Sequence, residues 1–377
     1  MGLFDADDWG RLAATLGLTP YAVSTGYARG MGFRSLRRSL AVLKSNAEPS
    51  YNHWLSGAWK GTEVMVLVYV VGSGKNRRNY TAVIARIDPP LFLGATIRTQ
   101  GFLDDLFSAP DILLGDPLTD GQLNIQGFDA QRVREFFRGD DAEAQNALAH
   151  LRHASNFGLY ATDSAVELSE SGVESNPTNI ARRLDVATSA AAVLAGRRVR
   201  MPFGRNEEAQ LAEWQRFADT SGFKLDARRM KLQGVAAGSS IEVALETEGK
   251  HVYTAVSVRF PMLVPFGFTI RRTSAPSFLQ GVFNQDIEIG HPAFDDLFIV
   301  SGNPPGHVRH LLTRNPVPDL LVALGRRTTN VQMHSEGLFF RLDGASPSAR
   351  EVAELVEYGR LTSATLFGEV SAAGPYR

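Results

Sequence analysis

Tyr80-Thr81-Ala82-Val83 recurs as Tyr253-Thr254-Ala255-Val256, and the reading of the whole chain grows from that recurrence. In the same register Arg86 meets Arg259, Gly94 meets Gly267, and Thr96-Ile97-Arg98 meets Thr269-Ile270-Arg271. Nine of the 21 positions from 79 to 99 are identical at an offset of 173. Ordinary residue usage would give about one or two. Upstream, Leu55, Gly57 and Gly61 match Leu232, Gly234 and Gly238 at an offset of 177. Downstream, Asp111-Ile112, Gly115, Pro117, Asp120 and Gly127 match Asp286-Ile287, Gly290, Pro292, Asp295 and Gly302 at 175. Val133-Arg134 and Val308-Arg309 continue that register. The leaders correspond more loosely, Trp9-Gly10-Arg11-Leu12-Ala13 with Trp214-Gln215-Arg216-Phe217-Ala218. Self-similarity on this scale marks a duplicated structural unit.

The change of offset carries information of its own. It falls between Tyr69 and Asn79, where the first copy has Gly72-Ser73-Gly74-Lys75-Asn76-Arg77-Arg78 and the second only 246–250. Length varies at loop tips between paired strands, so the flanking runs are expected to form a hairpin, longer in the first copy. Residues 63–71 are continuously apolar and β-branched, as in a strand covered on both faces. Their counterpart, 240–246, alternates apolar with polar and fits a half-buried strand. Partner strands are expected at 81–87 and 254–260, then at 93–98 and 266–271, and at 123–125 and 298–300. Asp-Ile-x-x-Gly-x-Pro reads as a short strand ending in a turn, with Asp120 and Asp295 as turn stabilisers. Helices follow at 130–137 and 306–314, and at 143–152 and 318–324. Hairpins come next at 157–168, with Asp163-Ser164 at the tip, and at 331–342, with Glu336-Gly337. Closing helices open at Pro177 and Pro347 behind the caps Asn176 and Ser346. The first is expected to stop at Gly196, leaving 197–205 as a linker.

The expected fold is α+β: a tandem duplication of a mostly antiparallel sheet with helices on one face, the copies related by a pseudo-two-fold axis. The expected domains are a helical leader at 1–46, a first repeat at 47–196, a linker and helix at 197–222, a second repeat at 223–370 and a tail at 371–377.

Composition narrows the function classes. The chain has 377 residues, 44% hydrophobic and 21% charged, with a formal net charge of −1. That balance provides no general attraction to nucleic acid, which is not expected as a partner. Cysteine is absent, which excludes disulfides, thiolate metal sites and cysteine nucleophiles. The opening residues Asp5, Asp7 and Asp8 stand where a secretory leader needs basic residues. The longest apolar run, 64–71, is far short of the ~20 residues that span a bilayer. A cytoplasmic protein is the expectation.

The segment Asp286-Ile287-Glu288-Ile289-Gly290-His291-Pro292-Ala293-Phe294-Asp295-Asp296-Leu297-Phe298-Ile299-Val300, followed by Gly302, Val308-Arg309 and Leu311-Leu312-Thr313, resembles a signature in a family of bacterial proteins of unknown function. There an acidic strand, a Phe-Asp/Glu-x-x-Phe-x-Val core and an Arg-x-Leu-Leu-Thr helix precede a short apolar hairpin. The resemblance spans residues 286–342 and implies a bacterial source; no activity comes with it. In the first copy Leu118-Thr119-Asp120 replaces the Phe-Asp pair, and Phe136-Phe137-Arg138 replaces Leu-Leu-Thr.

Candidate chemistry is sparse. Gly72-Ser73-Gly74-Lys75 evokes a phosphate-binding loop, yet such a loop needs Gly-x4-Gly-Lys-Ser/Thr before a helix; here Asn76 and a strand follow. His150 with His153 and His307 with His310 have a spacing that can present two imidazoles to zinc, but the pairs are not equivalent positions in the repeat and read as solvent-facing or helix-end histidines. Asp104, Asp105, Asp111, Asp116 and Asp120 are spaced too loosely for a calcium loop. Arg86, Arg98, Arg259 and Arg271, retained in both copies, are candidates for anion contacts on a strand face. Residues 31–44 place Phe33, Leu36, Leu40 and Leu43 on one side and Arg34, Arg37, Arg38 and Lys44 on the others. Such a basic amphipathic helix fits an anionic membrane surface, a partner's groove or its own domain. No nucleophile elbow, metalloprotease helix or dinucleotide fingerprint occurs. No catalytic residue, metal ligand or cofactor is assigned. The binding residues singled out are Arg34, Arg37, Arg38, Arg98 and Arg271. The reading is a non-catalytic binding or assembly module with a protein partner, self-association being one form of it. The alternative is an enzyme or small-anion-binding protein with its site in a cleft between the repeats.

Overall fold

The computed structural model describes residues 6–22, 53–71, 78–100, 112–138, 141–248, 251–272, 286–328, 330–344 and 348–368. In the first copy the elements run α1 (Ala6–Leu16), β1 (Thr19–Ala22), β2 (His53–Trp59), β3 (Thr62–Val71), β4 (Arg78–Arg86), β5 (Thr96–Thr99), α2 (Pro117–Asp120), β6 (Leu123–Gln126), α3 (Ala130–Phe136), α4 (Ala142–Ser155), β7 (Leu159–Thr162), β8 (Ala165–Ser171) and α5 (Pro177–Arg200). The second repeats the list in the same order: α6 (Arg205–Ser221), β9 (Lys224–Asp226), β10 (Lys231–Ala236), β11 (Ser239–Glu248), β12 (His251–Arg259), β13 (Gly267–Arg272), α7 (Pro292–Asp295), β14 (Phe298–Asn303), α8 (Pro305–Leu312), α9 (Val317–Arg327), β15 (Asn330–His334), β16 (Gly337–Asp343) and α10 (Ala349–Phe367). The residues form two compact units, Met1–Pro202 with Thr247–His251 and Phe203–Glu246 with Val252–Arg377.

Strand order settles the duplication. The first sheet runs β1-β2-β3-β4-β8-β7-β5-β6, and the second, read from its β9 end, runs β9-β10-β11-β12-β16-β15-β13-β14. Element for element these are one topology, and every registered pair is antiparallel. Between β3 and β4 lie residues 72–77, between β11 and β12 only 249–250, which accounts for the shift in offset. The pair Val71–Arg78 closes the longer hairpin.

Helices cover one face of the first sheet. Val64, Val66, Val83, Ala85, Val166 and Leu168 project into a core that also holds Trp9, Phe136, Leu148 and Leu184. On α5 the buried positions Ile180, Leu184, Ala187, Ala191 and Leu194 step by four and three, the spacing of a helix face. The opposite sheet face is buried as well, through Met65, Leu67, Ala82 and Ile84, so β3 is covered on both sides as its apolar run implies. In the second copy Ile241 and Val243 of β11 are buried, whereas Glu242 and Glu246 are half-buried. The alternating pattern read from the sequence is the pattern found.

Four local expectations are corrected. Helix α5 runs past Gly196 to Arg200, because Arg197 is buried and gives its guanidinium to the Phe136 carbonyl and the Asp141 carboxylate. Helix α10 is capped by Ser348, not Ser346; Glu351 completes a capping box with the Ser348 backbone N–H. The second hairpin turns at Ser335-Glu336, one residue earlier than expected. Residues 112–114 and 287–289 form no regular strand; among the described residues each segment donates one backbone hydrogen bond to its neighbour, Ile112 N to Ile125 O and Ile287 N to Val300 O.

Candidate functional site

The retained acidic residues build turns. In the first copy Asp120 accepts the N–H groups of Leu114 and Gly115, both at 2.9 Å. In the second, Asp295 accepts those of Ile289 and Gly290, both at 3.0 Å. Gly115 and Gly290 have φ values of +81° and +82°, a left-handed conformation that disfavours any Cβ. Gly127 and Gly302 are retained for a different reason: a Cβ at either would stand 2.8 Å from Val133 Cγ2 or Val308 Cγ2. The repeated Gly-and-Val spacing is thus the close approach of a strand end to α3 or α8.

The caps of α2 and α7 have diverged. Asp116 accepts from Leu118 N and from the Thr119 hydroxyl, and pairs with Arg152 at 2.8 Å. The Thr119 hydrogen bond holds its carboxyl below the usual carboxylate range; burial opposes it, and the Leu118 N–H and Arg152 add to the lowering. His291 takes the equivalent place; its Nδ1 accepts from Phe294 N at 3.2 Å, and its Nε2 faces Asp319 Oδ1 at 3.2 Å. Asp286 accepts from Val300 N at 2.9 Å. Asp104, Asp105 and Asp111 lie outside the described residues. Among the described residues, no group of three or more histidine and carboxylate side chains is placed to hold a metal ion.

The arginines are separated along the sheet. Arg98 stands opposite Asn124 and Tyr160, Tyr160 opposite Glu167, and Glu167 opposite Ile84. Arg86, two residues beyond Ile84, therefore shares that face. With β8 and β7 between β4 and β5, Arg86 and Arg98 sit about 16 Å apart, three strand spacings of ~4.8 Å across and two residues along. Arg86 pairs with Glu63 at 2.7 Å, and Arg98 Nε donates to Asn124 Oδ1 at 3.3 Å. Arg271 and Arg259 occupy the equivalent strand positions and are exposed. Arg34, Arg37 and Arg38, with the whole of 31–44, lie outside the described residues.

The remaining motifs also have definite places. Gly72-Ser73-Gly74-Lys75 connects β3 to β4, strand to strand, and itself lies outside the described residues. His153 on α4 packs its ring against Phe157, centroids 5.5 Å apart, and His307 on α8 against Phe266 at 5.7 Å. Asp163, at the β7–β8 tip, is fully buried. Its carboxylate accepts from Gly94 N at 2.7 Å and Ala95 N at 3.1 Å. Burial pushes its pKa up, and a hydrogen bond from the Thr247 side chain, followed by those N–H donors, opposes the shift only in part.

Sequence patterning gave no sign of three exposed apolar side chains in the first copy. Leu113, Leu118 and Phe128 are 61%, 66% and 66% exposed. All three fall in the stretch that wraps the edge strand β6, and a Cβ on Gly127 would lie 3.3 Å from Ile112 Cδ1, so the segments bearing Phe128 and Leu113 adjoin. At the equivalent positions the second copy has Glu288, Ala293 and Asn303. That copy exposes apolar residues elsewhere: Met262 and Leu263 are 58% and 62% exposed, where the first copy has Pro89 and Pro90. Backbone bonds clasp both ends of that turn, Phe260 N to Glu336 O and Val264 N to Ser335 O at 3.0 Å. The first copy makes the same clasp with Ile87 N to Ser164 O and Leu91 N to Asp163 O at 2.8 Å.

No protein-family model matches the chain, and no curated protein matches it. Among solved structures it is similar to the mycobacterial trehalose monomycolate transport factor A, TtfA, at 11% identity and a TM-score of 0.29, over 46% of this chain and 99% of that one. Among the described residues, no helix is long and apolar enough to cross a membrane.

Proposed function

We propose that this chain is a non-catalytic binding and assembly module of the bacterial cytoplasm that acts through protein–protein contacts. The observation that supports this is the exposure of Leu113, Leu118 and Phe128 in one copy only. The second copy serves as an internal control for what the fold requires. It builds the same turn, short helix and edge strand with Glu288, Ala293 and Asn303 in those places. The apolar side chains are therefore not demanded by the architecture. Left partly in water, each forgoes about 1–2 kcal/mol that full burial would return, and aromatic and aliphatic anchors are where interface energy concentrates. Arg34, Arg37 and Arg38, with Arg98 and Arg271, are proposed as cationic contacts to the same partner, on the strength of the basic face of 31–44 and the arginine retained in both copies.

The test is affinity purification of the tagged full-length protein beside a Leu113→Glu/Phe128→Glu variant, with thermal melts of both. The reading expects a stoichiometric partner with the wild type, lost by at least tenfold in the variant at an unchanged melting temperature. Equal recovery from both proteins would place the contact elsewhere, and the absence of any stoichiometric partner from the wild type would overturn the protein-contact reading.

A further inference from the structure

We draw no further inference here: the strongest candidate, the clasped turn between β12 and β13 that holds Met262 and Leu263 in solvent, is an apolar tip bordered by residues of both charges, and nothing in the structure shows what covers it.

Discussion

Asp120 and Asp295 make the same two hydrogen bonds in the two halves of the chain. Each carboxylate spans a pair of consecutive backbone N–H groups five and six residues upstream, Leu114 and Gly115 in one copy, Ile289 and Gly290 in the other. The geometry explains why aspartate is retained. Two oxygens on a short stem satisfy two donors at once, and no other side chain of that length has two acceptors.

Replacing either aspartate by alanine removes both acceptors and leaves the turn's half-buried N–H group without its partner. A loss of about 1–3 kcal/mol is expected at each site, read as a lower urea midpoint at unchanged slope. Equivalence of the copies requires effects of similar size. A large loss at one site with none at the other would argue that the two turns are not the same element.

Glycine replacements separate close approach from simple helix propensity. Gly302→Ala is expected to destabilise by about 1–3 kcal/mol through overpacking, because its new Cβ meets the Gly267 carbonyl and Phe268 Cβ at 2.8 Å. Gly127→Ala is expected to cost less, since the contact at 2.8 Å is the Val133 methyl. Gly196→Ala goes the other way. It lies inside α5 with nothing nearer than the Arg200 side chain at 3.7 Å, so a gain of about 0.5–1 kcal/mol is expected. Thermal melts of the three variants check the order.

Acid affects two groups of carboxylates in opposite senses. Asp116 is held below its ordinary pKa by the Thr119 hydroxyl first of all, and Asp185 by Lys60 and then Trp59, which reach it from the β2–β3 turn at 2.7 Å. A depressed folded-state pKa means stability present above the unfolded value, about 3.9, and lost as pH falls through the folded one. Asp163 is shifted upward by burial. Its ionised form burdens the folded state at neutral pH, and that burden is relieved as pH falls through its raised value. Urea unfolding at intervals from pH 7 to pH 3 checks both signs. Relative to Asp163→Asn, the wild type should gain stability on acidification, and relative to Asp185→Asn it should lose it. A wild-type-minus-Asn difference that stays flat with pH at either site removes the corresponding assignment.

Much of this fold was legible because duplication gives each element two readings. Tyr80-Thr81-Ala82-Val83 and its copy fixed the register of β4 and β12, and the alternation at 240–246 against the unbroken run at 63–71 told which sheet face is covered. Asn176 with Pro177 marked the start of α5 correctly. The failures came where long-range contacts override local preference. Gly196 looked like a helix end, but a buried Arg197 bonded to Phe136 and Asp141 carries the helix onward. Ser346-Pro347 resembles the first copy's cap in sequence, but Ser348-x-x-Glu351 supplies both halves of a capping box and sets the start of α10. The single-turn helices α2 and α7 are too short for any periodicity to show.

The candidate surface was the least legible part. Leu113, Leu118 and Phe128 look like core residues in sequence, because composition cannot say which side of a turn faces water. Chain geometry sets their surroundings: Asp120 and Gly115 fix the turn that carries Leu118 and follows Leu113, and Gly127 brings the strand end before Phe128 against α3. What the sequence could have supplied is the comparison with Glu288 and Asn303, since a position polar in one copy and apolar in the other has been released from the core.

In-cell photo-crosslinking compares the two copies most directly. A benzophenone amino acid placed at 128, and separately at the equivalent 303, interrogates the same site of the fold in each half. Discrete adducts to one protein from 128, with none from 303, are the expected result. Matching adduct patterns from both positions, or none from either, would contradict a copy-specific protein contact.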